Sequence, residues 1–423
     1  MNVLVVGAGG REHAVCVALA KSEKVTKLYC APGNGGISRV AECKNVKATD
    51  INGMVALAEE INADYVFVAP DDPLTLGMVD ALEKAGIKAF GPVAAAAAIE
   101  GSKSFSKALM KKYGIPTAVY GEFTNVACAM AYIKGRSEYP VVIKCDGLAL
   151  GKGVIIAENL FEAKEAVKSM LSYGKFGAAG KRIIIEEYLR GPEVTVLAFS
   201  DGKTVKPMIS ATDHKRALDN DEGLNTGGMG AVAPSPFYTG YWEKKCLKKI
   251  IIPTIDAMRN ENRPFKGVLY FQLMLTEKGP RVIEYNCRFG DPEAQTVLPL
   301  LKTDLFEIMT AVIEERLADL KIEWSTQHSA CVVMASGGYP EEYQTGFEIS
   351  GLQNVSDAEV YHAGTVLDVS RFKTAGGRVL NITAKGDTLD DALEKAYREI
   401  AKVNFKGAFY RKDIGRKDFA EPL

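Results

Sequence analysis

Arg281-Val282-Ile283-Glu284-Tyr285-Asn286-Cys287-Arg288-Phe289-Gly290-Asp291-Pro292-Glu293 is the stretch on which the reading of this chain turns. It opens as a short alternating strand and closes in a Gly-Asp-Pro turn. Residues two apart on a strand share a face, so Glu284, Asn286 and Arg288 point one way. Ile283, Tyr285 and Cys287 point the other way, toward a core. The polar face offers a carboxylate oxygen, an amide oxygen and a fixed guanidinium cation. Two hard oxygen donors suit Mg²⁺ held between protein and phosphates. An Arg beside them suits charge building up on a transferring phosphoryl group. A bare Glu-x-Asn would be read as an exposed strand face. Continuation of the pattern through Arg288, Asp291 and Glu293 favours the metal-and-phosphate reading.

Working upstream, Val268 to Leu275 is a strand that pairs with this stretch through the Thr276–Pro280 turn. Before it lies a polar loop flanked by Asp213-His214-Lys215-Arg216 and Asn225-Thr226-Gly227-Gly228-Met229-Gly230, with Pro253 interrupting the helix that follows. Such a density of donors, acceptors and glycine is more than a connector needs. Ile183 to Leu189 is a strand running into Arg190-Gly191-Pro192-Glu193. Its end could read adenine and ribose, although edge strands often end in Glu. Further back, the strand Pro140–Lys144 feeds Cys145-Asp146-Gly147-Leu148-Ala149-Leu150-Gly151-Lys152-Gly153 and a return strand, Val154–Ile156. Three glycines and Lys144 and Lys152 make a flap able to cover phosphates. It is not a Walker loop, because G-x-x-x-x-G-K-[ST] is unmatched and no helix follows directly.

The first ninety or so residues alternate strand and helix, which indicates a parallel sheet with its ligand side at the strand ends, residues 7–11, 31–36 and 69–74. Strands are expected at Asn2–Val6, Val25–Tyr29 and Tyr65–Val68, the last followed by a helix to Gly86. The turn Gly7-Ala8-Gly9-Gly10-Arg11-Glu12-His13 invites a dinucleotide reading. Glu12 stands where the third glycine would fall, and no acid for a ribose follows the second strand, so a nicotinamide or flavin site is disfavoured. A smaller phosphate on Gly9, Gly10 and Arg11 stays open beside a plain strand–helix turn. Ser102 can cap a helix that stops at Gly114. The last hundred residues restart as α+β, with strands at Cys331–Ala335 and Arg378–Thr383 and a helix capped by Thr388.

A chain of 423 residues suggests two to four packed units. Its 47% hydrophobic and 25% charged content are those of an ordinary globular protein, and a net charge of −1 gives no basic field for nucleic acid or anionic membrane. The eight cysteines form no C-x-x-C and there are four histidines, which argues against a zinc cluster or disulfide framework. No basic leader precedes Val3-Leu4-Val5-Val6 and no apolar run has the length of a membrane span. The expectation is a cytoplasmic protein.

These features together resemble the ATP-grasp ligases, and their finer motifs resemble the phosphoribosylamine–glycine ligase family of purine biosynthesis. The motifs are Gly9-Gly10-Arg11-Glu12-His13, Ala31-Pro32-Gly33-Asn34, Glu100-Gly101-Ser102-Lys103, Lys144 to Val154, Asp213–Arg216, Asn225–Gly230, Asn286–Glu293, His362-Ala363-Gly364-Thr365 and Arg411-Lys412-Asp413-Ile414-Gly415. They run through nearly the whole chain in family order. The resemblance implies a multidomain α/β and α+β fold. An N-terminal parallel-sheet, Rossmann-like domain would span 1–102 and an ATP-grasp domain 103–325, with a flap subdomain at about 116–190. A C-terminal α+β domain would span 326–423. A monomer is expected.

The resemblance also implies the reaction. ATP, glycine and phosphoribosylamine would give ADP, phosphate and glycinamide ribonucleotide through a glycyl phosphate. No side-chain nucleophile is required, and positioning and charge neutralisation would carry the catalysis. Carried over by position, Glu284 and Asn286 would hold Mg²⁺ or Mn²⁺. Lys103 and Lys144 would hold the ATP phosphates under the flap formed by Gly147, Gly151, Lys152 and Gly153. Glu186, with Glu187 through Leu189, would read adenine, and Glu193 the ribose. Arg288 and Lys144 would serve the phosphoryl transfer. Asp213, His214, Lys215, Asn225, Thr226, Gly227, Arg288 and Asp291 would shape the substrate pockets, and Gly9, Gly10 and Arg11 would seat the ribose 5-phosphate.

Some positions depart from the family pattern: Ala69 and Asp71, Cys145 and Leu150, Leu224, and Tyr270-Phe271-Gln272 replace the residues expected there. Gln272 stands near the place where many ATP-grasp enzymes keep an acidic metal ligand. The rival readings are another ATP-grasp carboxylate–amine ligase or carboxylase, a non-catalytic nucleotide-binding protein and an NAD-dependent dehydrogenase.

Overall fold

The structure is a computed structural model and describes residues 1–147, 153–172 and 180–416. Gly151 and Lys152 of the expected flap, with Leu148 to Leu150, lie outside the described residues.

The chain begins with β1 (Asn2–Gly7), whose Val3 to Val6 are fully buried between two layers. It continues through α1 (Gly10–Leu19), β2 (Lys27–Pro32), β3 (Glu42–Cys43), α2 (Ile51–Glu60), β4 (Tyr65–Val68), α3 (Asp71–Thr75), α4 (Met78–Lys84) and β5 (Lys88–Phe90). The five strands are parallel, in the order β3-β2-β1-β4-β5. That order reverses between β1 and β4, so the crevice where such sheets bind ligands lies at Gly7–Gly9 and Ala69–Asp71. β2 begins two residues later than the apolar pattern suggests. The single helix expected after β4 is broken at Gly77, whose φ of +86° only glycine adopts cheaply.

Next come α5 (Ala94–Gly101) and α6 (Lys103–Tyr113). Ser102 accepts the Phe105 N–H at 3.1 Å, and Gly114 ends the helix in the left-handed conformation. The chain then makes β6 (Tyr120–Phe123), α7 (Val126–Lys134), β7 (Val141–Cys145), β8 (Val154–Ala157), α8 (Leu160–Leu171) and β9 (Ile183–Glu187). These strands form an antiparallel sheet, β6-β9-β7-β8. Val141, Ile143, Ile183 and Ile185 pack against α7 and α8. Period two therefore turns Lys144 and Glu186 to the opposite face.

β10 (Glu193–Asp201) and β11 (Val205–Pro207) start a third sheet. Before it is complete the chain makes β12 (Thr212–Asp213), the hairpin β13 (Arg216–Leu218) and β14 (Glu222–Asn225), and β15 (Gly230–Ala233). Helices α9 (Gly240–Cys246) and α10 (Ile252–Asn260) follow, joined by a π-turn at Leu247–Ile251. The sequence expects Pro253 to interrupt this helix, but the chain instead widens by one turn ahead of it. That removes the clash between the proline ring and the carbonyl four residues back.

β16 (Lys266–Thr276) and β17 (Gly279–Asn286) then complete an antiparallel sheet, β11-β10-β16-β17. A bulge lies between Gln272 and Leu273, which pair with Glu284 and Val282. Ile283 is the extra residue, so Val282 takes the inward place expected for Ile283, while Tyr285 and Cys287 are buried as their alternation implies.

α11 (Glu293–Val297) and α12 (Leu305–Ile313) lead to β18 (His328–Ala335), β19 (Glu359–His362), the hairpin β20 (Thr365–Asp368) and β21 (Arg371–Thr374), β22 (Arg378–Gly386) and α13 (Leu389–Ile400). The last large sheet runs β12-β15-β18-β22-β19, so two strands from the middle of the chain belong to it. Val332, Leu380 and Ile382 pack on Leu393 and Ile400 of α13. Among the described residues, no helix is long and apolar enough to cross a membrane.

Candidate active site

The site lies between the sheet carrying β7 and β9 and the sheet carrying β10, β16 and β17. From the first, Lys144 Nζ stands 3.3 Å from Glu186 Oε2 and donates to the Ile283 carbonyl, exposed by the bulge, at 3.4 Å. Lys107 Nζ lies 3.1 Å from Glu186 Oε1 and donates to Thr117 Oγ1 at 2.8 Å. Both lysines and the glutamate are buried. Burial pushes the Lys107 ammonium down to about 8, against the pull of Glu186. Lys107 was not picked out from the sequence. The signal for it was its i,i+4 spacing from Lys103 on α6. Lys103 Nζ reaches the Gly147 carbonyl at the base of the glycine loop, at 3.2 Å.

Strand alternation on the facing sheet brings Glu193, Tyr270, Gln272, Glu284 and Asn286 to one face. Burial disfavours the Glu284 carboxylate, yet Lys144, Lys215, Lys103 and Arg288 together hold its pKa below the usual value. Lys215 Nζ lies 2.9 Å from Glu193 Oε1. Burial lowers the Lys215 pKa against the attraction of Glu284 and Glu293. Gln272 gives its amide N–H to Glu193, so it braces the proposed ribose reader and does not turn that N–H toward Glu284. Glu187 turns the other way from Glu186, and its carboxylate accepts the Val119 N–H at 2.8 Å. Its side chain is therefore committed outside the cleft.

Arg288 is fixed by a residue far away in sequence. Glu100 Oε1 accepts from Arg288 Nη2 at 3.0 Å, and Glu100 Oε2 accepts the Cys287 N–H at 2.6 Å. Asn286 Oδ1 lies 3.2 Å from the same Nη2, and Asp71 Oδ2 is 3.8 Å away. Burial raises the Glu100 pKa against the attraction of Arg288. Arg288 Nε is buried without a hydrogen-bond partner among the described residues, leaving one donor for an incoming oxygen.

At the sheet crevice, the glycine turn is closed by its own helix. Glu12 Oε2 accepts the Gly9 N–H at 2.6 Å, and Glu12 Oε1 accepts from Arg11 Nε at 2.5 Å. The carboxylate occupies the place a dinucleotide pyrophosphate would need, and a Cβ on Gly7 would lie 2.4 Å from Glu12 Cγ. The Gly9 N–H is thus spoken for, and the expected seat is reduced to Gly10 and Arg11. Arg11 Nη1 donates to the Phe289 carbonyl at 3.2 Å, which joins this turn to the Arg288 loop.

Asp291 accepts from Gln295 at 2.6 Å and pairs with Arg378 at 3.3 Å. Burial opposes its charge, while Arg378 and Arg11 hold its pKa down. Arg378 also donates to the carbonyls of Gly227 (2.8 Å), Gly228 (3.2 Å) and Asp291 (2.7 Å). Arg378 and Glu100 were not assigned roles from the sequence; both lie about ninety residues or more from the groups they hold. Of the expected pocket segments, Asp213 and Lys215 border the cleft. Thr226 Oγ1 donates to the Lys215 carbonyl at 2.8 Å, and Asn225 is exposed. His214 is turned inward, its Nε2 accepting the Gly415 N–H at 3.1 Å, so its ring secures the backbone instead of lining the cleft.

Glu284 and Asn286 supply two oxygens, and among the described residues no group of three or more His, Cys, Asp or Glu side chains could hold a metal. Two protein oxygens beside lysines fit a divalent cation that takes its remaining ligands from phosphates and water.

Three family models cover the chain in order. Phosphoribosylglycinamide synthetase, N domain, matches residues 1–100; the ATP-grasp (A) domain of the same synthetase matches 101–294; its C domain matches 329–417. A phosphoribosylamine–glycine ligase of Caldanaerobacter subterraneus is 49% identical over 98% of this chain and 99% of that protein. The crystal structure of a phosphoribosylamine–glycine ligase from Thermotoga maritima matches 98% of this chain and 100% of its own with a TM-score of 0.84 and 32% identity. A biotin carboxylase from Campylobacter jejuni shares the fold at a TM-score of 0.75 and 16% identity, over 97% of this chain and 92% of that one.

Proposed function

The chain belongs to the phosphoribosylglycinamide synthetase family, and from that premise we propose how its cleft performs the reaction. It is an ATP-dependent ligase of purine biosynthesis that forms the C–N bond between glycine and 5-phosphoribosylamine. We assign the ATP-grasp unit to 103–325, between an N-terminal unit, 1–102, and a C-terminal unit, 326–423, whose sheet also takes in β12 and β15.

The observation that carries the residue assignments is the set Lys144, Glu284, Asn286 and Arg288 converging from two sheets, with Arg288 locked by Glu100. ATP lies with its phosphates toward Lys144 and Lys103 and its adenine at the end of β9. Glu193 faces the ribose. Glu284 and Asn286 would hold Mg²⁺, with Mn²⁺ as the alternative, which would supply neutralisation of phosphate charge. Glycine's carboxylate oxygen forms a bond to the γ-phosphorus as the bond to the bridging oxygen of ADP breaks. Arg288, with its unpartnered Nε, steadies the equatorial oxygens. The amine of phosphoribosylamine then attacks the glycyl carbonyl carbon, phosphate leaves, and the nitrogen gives up a proton. Arg11, Asp291 and the Asp213–Lys215 segment border the side from which the second substrate enters.

The test is ADP release by the purified protein with Mg-ATP and glycine, phosphoribosylamine, or both. Release that requires both, with an amide product, is expected. Release driven by bicarbonate would move the substrate while keeping the fold. ATP binding without turnover would favour a non-catalytic role.

A further inference from the structure

The tail motif Arg411-Lys412-Asp413-Ile414-Gly415 lies outside the cleft, yet the Arg411 and Asp413 side chains and the Lys412 N–H all bind one hairpin. Arg411 is fully buried. It makes a two-pronged pair with Asp413 (Nε to Oδ1, 2.8 Å; Nη2 to Oδ2, 2.7 Å), and its Nη1 donates to Asp221 Oδ1 at 2.9 Å and to the Arg216 carbonyl at 3.1 Å. The Lys412 N–H donates to Asp219 Oδ1 at 2.7 Å, and Asp413 Oδ2 accepts the Asn220 N–H at 2.9 Å. All of these partners outside the tail sit on the β13–β14 hairpin. The strap is itself held by α13, where Tyr397 donates to the Arg411 carbonyl at 3.0 Å and accepts the Ile414 N–H at 2.9 Å.

That hairpin cannot be held by apolar burial. Of residues 216–225, only Ala217 is buried, and Leu218 and Leu224 are half exposed. At its two ends it carries cleft residues. Lys215 precedes it and reaches Glu193, and Thr226 follows it and bonds back to the Lys215 carbonyl. The Gly415 N–H adds a further tie, to His214, on the other side of Lys215.

We propose that Arg411 is a positioning residue: it holds the hairpin at Asp221 and the Arg216 carbonyl so that Lys215 stays in the reaction cleft beside Glu193 and Glu284. A planar, always-charged fork is needed, because it serves two carboxylates and a carbonyl at once, which an ammonium cannot do in the same plane. The inference rests on the placement of Lys215 in the cleft given above.

The experiment compares Arg411→Lys, Asp221→Asn and Lys215→Ala in the full chain, singly and with Arg411→Lys placed in the Lys215→Ala background. Asp221 is partly exposed, so its variant keeps the test open should Arg411→Lys fold poorly. Arg411→Lys is expected to lower kcat/KM of the complete reaction at least tenfold, with Asp221→Asn lowering it in the same direction. Affinity for a nonhydrolysable ATP analogue alone should change less than threefold, since Lys144, Lys103 and Glu186 come from elements the strap does not touch and Glu193 keeps its bond from Gln272. In the Lys215→Ala background, Arg411→Lys should cost less than a further twofold. A loss that multiplies with that of Lys215→Ala, or that falls equally on analogue binding, would overturn the proposal and leave a purely structural strap. So would near-normal Arg411→Lys and Asp221→Asn beside an impaired Lys215→Ala. A fully active Lys215→Ala would instead overturn the cleft role of Lys215, and this inference with it.

Discussion

Glu100 shows at the level of one side chain what the sequence hides. Its carboxylate bridges the Cys287 N–H and the Arg288 guanidinium, and both contacts need an acceptor. Glu100→Gln keeps one carbonyl and presents an NH₂ to the other donor. A buried charged hydrogen bond is worth about 1.5–3 kcal/mol. The expected result is a fall in kcat of roughly 10- to 100-fold, with ATP affinity within about threefold, read by steady-state ADP release and by titration. Glu284→Ala is expected to abolish turnover while the far-UV spectrum stays native; normal ADP release by that variant would remove the metal assignment. Lys144→Ala should weaken ATP binding about tenfold or more, checked by the same titration. Glu284, Asn286 and Arg288 were legible because strand periodicity alone puts them on one face. Glu100, Lys107 and Arg378 were not, since their partners are brought close only by the assembled sheets. For Lys107 the i,i+4 spacing from Lys103 was available, but it also fits an ordinary solvated helix face.

Among the elements, strong local signals translated directly and tertiary adjustments did not. The buried strand β1, the capped helix α6 and the hairpin of β16 and β17 stand where apolar runs, Ser102 and the Thr276–Pro280 turn put them. The bulge at Ile283 has no sequence mark, because an extra residue in one strand is defined only against its partner. The π-turn before Pro253 is likewise a response to packing: proline forbids the regular ladder, while buried Ile250, Ile251 and Ile255 favour continuing the helix. Gly77, by contrast, carries a sequence mark for the break, because a glycine within a helical run can take the left-handed conformation that ends it. Ser102 joins element to site, since it caps the helix that begins at Lys103 and donates to Asp146 at 3.2 Å. Ser102→Ala should cost about 1 kcal/mol in denaturant unfolding. It should also raise KM for ATP as Lys103 loses its fixed first turn. An unchanged unfolding midpoint would show that Asp146, which accepts the Ser104 N–H at 3.1 Å, caps the turn alone.

Across the whole molecule, the N-terminal parallel sheet's loops and the C-terminal sheet meet at a polar clasp. Asn34 donates to the carbonyls of Ala8 and His362, both at 2.8 Å, and accepts the N–H groups of Gly36 and Ile37, both at 2.9 Å. His13 Nδ1 accepts the His362 N–H at 2.8 Å, and His362 Nδ1 meets Thr365 Oγ1 at 3.1 Å. A protonated His13 would set donor against donor. Burial, reinforced by His362, lowers the His13 pKa from 6.5 to about 3, and burial with the nearby Arg39 cation lowers that of His362 to about 4. Both rings are therefore neutral in the folded chain and protonate near 6.5 once unfolded. The unfolded state binds more protons below that pH, so the stabilisation is full above pH 6.5 and is lost as pH falls. The slope is at most ~1.4 kcal/mol per pH unit for each ring, until the folded values near 4 and 3 are reached. Urea unfolding followed by tryptophan fluorescence should show a midpoint nearly flat from pH 8 to 7 and falling steeply from 6.5 to 5. A variant carrying His13→Gln and His362→Gln should start lower and fall less over the same interval. Equal slopes for the two proteins would mean that the rings already titrate in the folded state, and that the clasp is not what ties acid sensitivity to the junction of the N- and C-terminal sheets.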